Sequence, residues 1–257
     1  MGSIISRVSQ LIQENKNFAL CIVTYTEGSS PRKAGSKMIV YEDGTSEGSI
    51  GGGSIEKAVI EACPNIIKLG KATKYTYNLE DDLSMQCGGL MEVYIEPFKR
   101  SPSLYIFGGG HIGQALSNYA VDIGFTVTVF DNRQGIAENF DKQKINFIEG
   151  DYFKSIDIVE FDSNTYIVIV THKHIYDEDI LAAVARKPHA YLGMIGSRVK
   201  VQTLRKRFIE EKILTQEELD LIDMPIGVPI AAETPVEIAI SILAKLIDVK
   251  NSKIKNG

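Results

Sequence analysis

Three cysteines, Cys21, Cys63 and Cys87, are all this 257-residue chain has, and no two form a Cys-x-x-Cys pair. An odd, widely spaced set is neither a disulfide framework nor a structural zinc site, which points to a reducing compartment. Tryptophan is missing altogether. No apolar run approaches the roughly 18 residues a membrane span needs, and the N-terminus lacks a signal-peptide core. The expected location is therefore the cytoplasm, away from membranes. Basic excess is missing too: the formal charge is −5 and the pI about 5.5, which argues against a nucleic-acid partner.

What is present is an ordinary globular composition, 44% hydrophobic and 24% charged, enough to bury real cores. The pattern breaks at "EPFKRSPS" (96–103), where two prolines and a basic pair separate two apolar strand patterns. This predicts a first domain over 1–98, a linker over 99–103 and a second domain over 104–257. The first reads as a compact α+β unit. It has an amphipathic helix at 3–14, strands at 18–25, 37–41, 74–78 and 90–96, and a helix from Ser54 to Glu61. The second alternates strand and helix, the mark of βαβ units on a parallel sheet. Strands are expected at "SLYIF", "FTVTVF", "TYIVIV" and "AYLGMI", with helices over 111–121, 175–186 and 198–211. A capping box of Thr234 and Glu237, with Pro235 at the first helical position, opens the last helix. The fold class is α/β: an N-terminal α+β domain plus a C-terminal Rossmann-like, doubly wound parallel sheet.

In "YIFGGGHIGQAL", Gly108, Gly110 and Gly113 stand in G-x-G-x-x-G register after a strand and at the opening of a helix. Gly108 makes the turn, Gly110 lets backbone approach a pyrophosphate, and Gly113 lets the helix lie close on the sheet. Asp131 ends the following strand, where a ribose-binding acid belongs, and favours NAD-like ligands. Arg133, two residues on, keeps NADP-like ligands open. His111 inside the loop contacts a phosphate or packs. His172, His174 and Asp177, in "VTHKHIYDED", lie at the carboxyl end of the sheet. Their readings are strand-end caps, catalytic groups of an oxidoreductase, or a partial metal site. "GMIGSRVK" places Ser197 and Arg198 at a helix start, as an anion-binding turn, an ordinary N-cap, or both.

The first half carries "EGSSPRKAGSKM", "GSIGGGSIE" and "SMQCGGL". Gly51, Gly52 and Gly53 precede a helix with Ser54 as expected N-cap, and Arg32 offers positive charge nearby. Exposed N–H groups at a helix start suit an anion, although tight turns in a small domain would read the same way. Cys21 in "ALCIVTY" reads as core and Cys63 in "EACPN" as a packed helix end.

Together with "LYIFGGGHIGQAL", "TVTVFDNR", "YLGMIGSRVK" and "PIGVPIAAETPVEIAISILAKLI", these stretches resemble the XdhC/CoxI family, in family order over nearly the whole chain. One departure is "DNR", where many relatives carry two acids before the arginine. The resemblance implies an accessory protein of xanthine dehydrogenase and related molybdenum hydroxylases. Such a protein binds molybdenum cofactor, as molybdopterin or its dinucleotide form, assists sulfuration with a cysteine desulfurase, and passes the cofactor to the apo-enzyme. It implies Cys87 as the cofactor-binding and metal-ligating residue, with Gly88 and Gly89 clearing space for the pterin. It also suggests a homodimer. NAD(H) is the second candidate ligand. The alternatives are an NAD-dependent oxidoreductase and an NAD(H)-responsive regulatory binding protein.

Overall fold

The computed structural model describes residues 3–79 and 89–255 of the chain, so Cys87 and Gly88 lie outside the described residues. It divides into two compact units, one ending at Arg100 and the other beginning at Ser101.

The first unit is an antiparallel sheet between two helices. Its helices are α1 (Ile4–Gln13) and α2 (Gly53–Leu69), and its strands are β1 (Phe18–Gly28), β2 (Lys37–Tyr41), β3 (Ser46–Gly48), β4 (Thr73–Asn78) and β5 (Gly89–Phe98), ordered β3-β2-β1-β5-β4. Period-two alternation decides which helix each residue meets. Ala19, Cys21 and Val23 join Val59, Cys63 and Ile67 of α2, whereas Phe18 and Leu20 join Val8 and Leu11 of α1. The strand β5 runs through Pro97 to Phe98, the last residue before the expected linker, pairing Pro97 with Ala19. On its other side β4 reaches only Ile95, so Pro97 lies beyond the doubly paired stretch. The helix α2 also outruns expectation. It continues past Pro64, because Ile66 and Ile67 are buried against the sheet and their burial outweighs one lost backbone bond.

The second unit carries five parallel strands: β6 (Ser103–Phe107), β7 (Thr126–Asp131), β8 (Ile145–Glu149), β9 (Thr165–Ile169) and β10 (Tyr191–Met194), ordered β10-β9-β6-β7-β8. One face is covered by α3 (His111–Asp122) and α8 (Pro235–Lys255). The other is covered by α4 (Tyr152–Ile158), α5 (His174–Val184) and α6 (Arg198–Glu210), with α7 (Gln216–Asp220) at its edge. The capping box forms as read: Glu237 N–H donates to Thr234 Oγ1 at 3.3 Å, and Thr234 N–H to Glu237 Oε2 at 2.9 Å. Strand order reverses between β6 and β9. The loops after these two strands therefore flank the crevice where open α/β sheets take ligands.

Candidate functional site

The turn from β6 into α3 uses each glycine for a distinct reason. Gly108 sits at φ +120°, and a Cβ there would lie 2.2 Å from Val170 O, in the loop after β9. A Cβ on Gly113 would stand 2.0 Å from Gly108 O, so the helix can approach the strand only with glycine at this point. Gly110 is the N-cap of α3, and the first intrahelical bond runs from Gln114 N–H to its carbonyl at 2.8 Å. The N–H groups of the first turn therefore have no partner within the helix and face the crevice end of the sheet. His111 is exposed at the first position of that turn.

Asp131 ends β7 beside this loop. Its side chain is wholly buried. Oδ2 accepts from Gly109 N–H and from Arg133 Nη2, both at 2.7 Å. Oδ1 accepts from Arg133 Nε at 2.8 Å and from Arg133 N–H at 3.0 Å. Burial opposes its ionisation, but the bonds from Arg133 and Gly109 prevail and hold the carboxyl below its ordinary range. Gly109 thus joins the three glycines, Asp131 and Arg133 already singled out by sequence. Nearby, the buried Asn132 Oδ1 has no hydrogen-bond partner among the described residues.

The loop after β9 splits the "HKHIYD" group. His172 is exposed, its ring 5.6 Å from that of Tyr176, and desolvation followed by the charge of Arg133 lowers its pKa. His174 and Asp177 come together instead, with Nδ1 3.5 Å from Oδ2, while Lys200 Nζ lies 2.6 Å from His174 Nε2. An ammonium only donates, so Nε2 is the acceptor in that contact. Thr171 secures the other Asp177 oxygen through its N–H at 2.9 Å and Oγ1 at 2.7 Å. His174, Asp177 and Lys200 line a cavity of about 290 Å³ between α5 and α6. Among the described residues no group of three or more His, Cys, Asp or Glu could hold a metal ion. Ser197 is an N-cap in fact, its Oγ accepting from Lys200 N–H at 3.3 Å, and Arg198 is exposed beside it.

In the first unit, the triple-glycine turn holds an anion, and that anion is the chain's own. Glu56 Oε1 accepts from Gly52 N–H at 2.8 Å, Ile50 N–H at 3.0 Å and Gly51 N–H at 3.2 Å, and from Ser49 Oγ at 2.7 Å. The N-cap is Gly52 and not the expected Ser54, which lies inside the first turn of a helix that begins at Gly53. An external phosphate would have to displace the Glu56 carboxylate from Gly51 and Gly52. The Pro31 ring lies against Gly51, which brings the turn bearing exposed Arg32 alongside. At Gly89 the expected clearance is filled by backbone: a Cβ there would meet Ser29 O at 2.5 Å and Glu27 O at 2.6 Å. The place of Cys87 and Gly88 lies outside the described residues. Among the described residues no helix is long and apolar enough to cross a membrane.

Comparison with known proteins agrees with both halves. The XdhC Rossmann domain matches residues 104–246, and the XdhC and CoxI family matches residues 11–78. YqeB of Escherichia coli (strain K12) is 31% identical over 97% of this chain, which spans 47% of that protein's length. A probable xanthine dehydrogenase component from Bacillus subtilis (strain 168) is 21% identical, over 97% of this chain and 98% of its own. The molybdenum cofactor insertion chaperone PaoD of Escherichia coli (strain K12) is 20% identical, over 94% of this chain and 86% of its own. The chain belongs to the XdhC family.

Proposed function

We propose that this XdhC-family chain is an accessory protein of a molybdenum hydroxylase of the xanthine dehydrogenase type, acting in the cytoplasm. In this reading it receives molybdenum cofactor as cargo, holds it during sulfuration by a cysteine desulfurase, and delivers it to the apo-enzyme. The observation that carries the reading is the pairing of both family domains in one chain. A relative aligned over 94% of that chain, PaoD, bears the name of a molybdenum cofactor insertion chaperone.

The residue roles follow from chemistry. Cys87 supplies a soft thiolate suited to the metal, and Gly88 gives the pterin room. A nucleotide sits at the N-terminus of α3, where helix N–H groups lack partners within the helix. The triple-glycine turn is the weaker phosphate site, because Glu56 already takes its donors. The chain works as a homodimer.

The test is expression where molybdenum cofactor is made, followed by mass spectrometry and metal analysis of the purified protein. Molybdopterin should co-purify with the native chain and be lost from Cys87→Ser. Gly88→Val should impair retention with the thiol intact. Full retention by Cys87→Ser would overturn the ligand role of the thiolate, and absence of pterin from the native chain would overturn the carrier reading.

A further inference from the structure

The geometry points to a phosphate-monoester subsite at Arg133, so that the glycine-loop crevice prefers a 2′-phosphorylated nucleotide to one with a free 2′-hydroxyl. This rests on the reading that the loop into α3 holds a nucleotide. In a Rossmann unit the end of the second strand reads the ribose 2′ position: an acid there accepts from the hydroxyl, or an arginine nearby takes a phosphate. Asp131 stands at that strand end, and on sequence alone it spoke for the hydroxyl.

Hydrogen-bond accounting reverses that preference. An ionised carboxylate offers about four acceptor positions. At Asp131 two are filled on Oδ1, by Arg133 N–H and Nε, and two on Oδ2, by Gly109 N–H and Arg133 Nη2. The side chain is wholly buried, so a ribose hydroxyl finds neither a lone pair nor an approach.

Arg133 is the opposite case. Its side chain keeps 35% of its surface exposed, and Asp131 uses only the Nε–Nη2 edge of the guanidinium. Nη2 lies 3.9 Å from where a Cβ of Gly110, the N-cap of α3, would stand. A fixed guanidinium therefore sits beside a helix N-terminus, and both favour a dianion. The buried carboxylate locks the fork in place, which lowers the ordering cost of a bidentate contact to phosphate. The Asn132 side-chain oxygen, one residue past Asp131, is buried without a partner among the described residues. The polar group at this strand end is thus left incomplete by the chain itself.

The experiment is calorimetric titration of the full chain with NADP⁺, NAD⁺, 2′,5′-ADP and 5′-AMP, repeated on Arg133→Ala and Arg133→Lys. Each 2′-phosphorylated ligand should bind about tenfold or more tightly than its unphosphorylated partner, the scale of one charge-assisted contact. Arg133→Ala should erase most of that ratio, and Arg133→Lys should keep part of it, holding charge without the fork. NAD⁺ binding as tightly as NADP⁺ to the native chain would overturn the subsite while leaving the nucleotide site standing. Binding of none of the four would overturn the nucleotide reading and the subsite with it. The native ratio decides the matter even if a variant fails to fold.

Discussion

Oε1 of Glu56 lies 2.8 Å from the N–H of Gly52, and the same oxygen gathers the N–H groups of Ile50 and Gly51 with Ser49 Oγ. One side chain, from the first turn of α2, thereby satisfies the donors of the turn that precedes it. Burial disfavours the charge, yet the bonds from Ser49, Gly52, Ile50 and Gly51 outweigh it and hold the carboxyl below its ordinary value. Because the folded pKa is depressed, this contribution is present above the unfolded pKa, near 4.3, and is lost as pH falls through the folded value. Glu56→Ala should cost roughly 2–3 kcal/mol by stranding those donors, and Glu56→Gln less, since an amide oxygen still accepts. Urea denaturation at pH 7 and pH 3 measures both, and the gap between native and Glu56→Ala should narrow at the lower pH. An equal gap at the two values would remove the charge from the account.

Gly113 carries the sharpest steric demand. A methyl at Gly113 meets Gly108 O at 2.0 Å, and both atoms are held by regular structure on either side. Gly113→Ala should destabilise the second unit by about 3 kcal/mol, the upper end of overpacking, as α3 is levered off the sheet. Thermal unfolding reads this directly. A near-native melting temperature would mean the loop has slack that its geometry does not suggest.

Much of this was legible in the sequence, and what was hidden shares a cause. Strand β2, helix α1 and the Thr234–Glu237 capping box declare themselves through local spacing, which needs no tertiary context. The extension of α2 past Pro64 and the pairing of Pro97 depend on burial and on which neighbour strand has ended, and neither is a local property. The site divides the same way. The glycine register and Asp131 follow from the motif, but whether Asp131 has a free lone pair depends on how Arg133 folds back. The sequence likewise presents Glu56 two residues after Ser54 without revealing that it, rather than an external ligand, would fill the glycine turn.

Asp177 has the opposite pH signature to Glu56. Desolvation raises its pKa, against the lowering bonds from Thr171 and the nearby His174. A raised folded pKa means its contribution to stability is complete below the unfolded value, near 3.9, and is lost as pH climbs through the folded one. Asp177→Asn keeps an acceptor for Thr171 and cannot ionise. Relative to native protein it should gain stability as pH rises from about 3.5 through the folded pKa, then hold a constant offset. Denaturation midpoints across that range provide the comparison, and parallel curves would show that the burial penalty is relieved by other means.

Cys21 and Cys63 stand 3.6 Å apart, sulfur to sulfur, both fully buried between β1 and α2. The hydrogen bond between them, and then burial, push the Cys21 thiol well above its ordinary value. The nucleophile in alkylation is the thiolate, so burial disfavours reaction at both sulfurs and the raised pKa disfavours it further at Cys21. Iodoacetamide on the native chain should leave both unmodified, whereas unfolding in urea should expose them together, since they belong to one cluster with Val59, Ile67 and Val93. Peptide mapping separates their labelling from that of Cys87. Native-state labelling of Cys63 without Cys21 would mean that α2 opens independently of the sheet, against their joint exposure as one cluster.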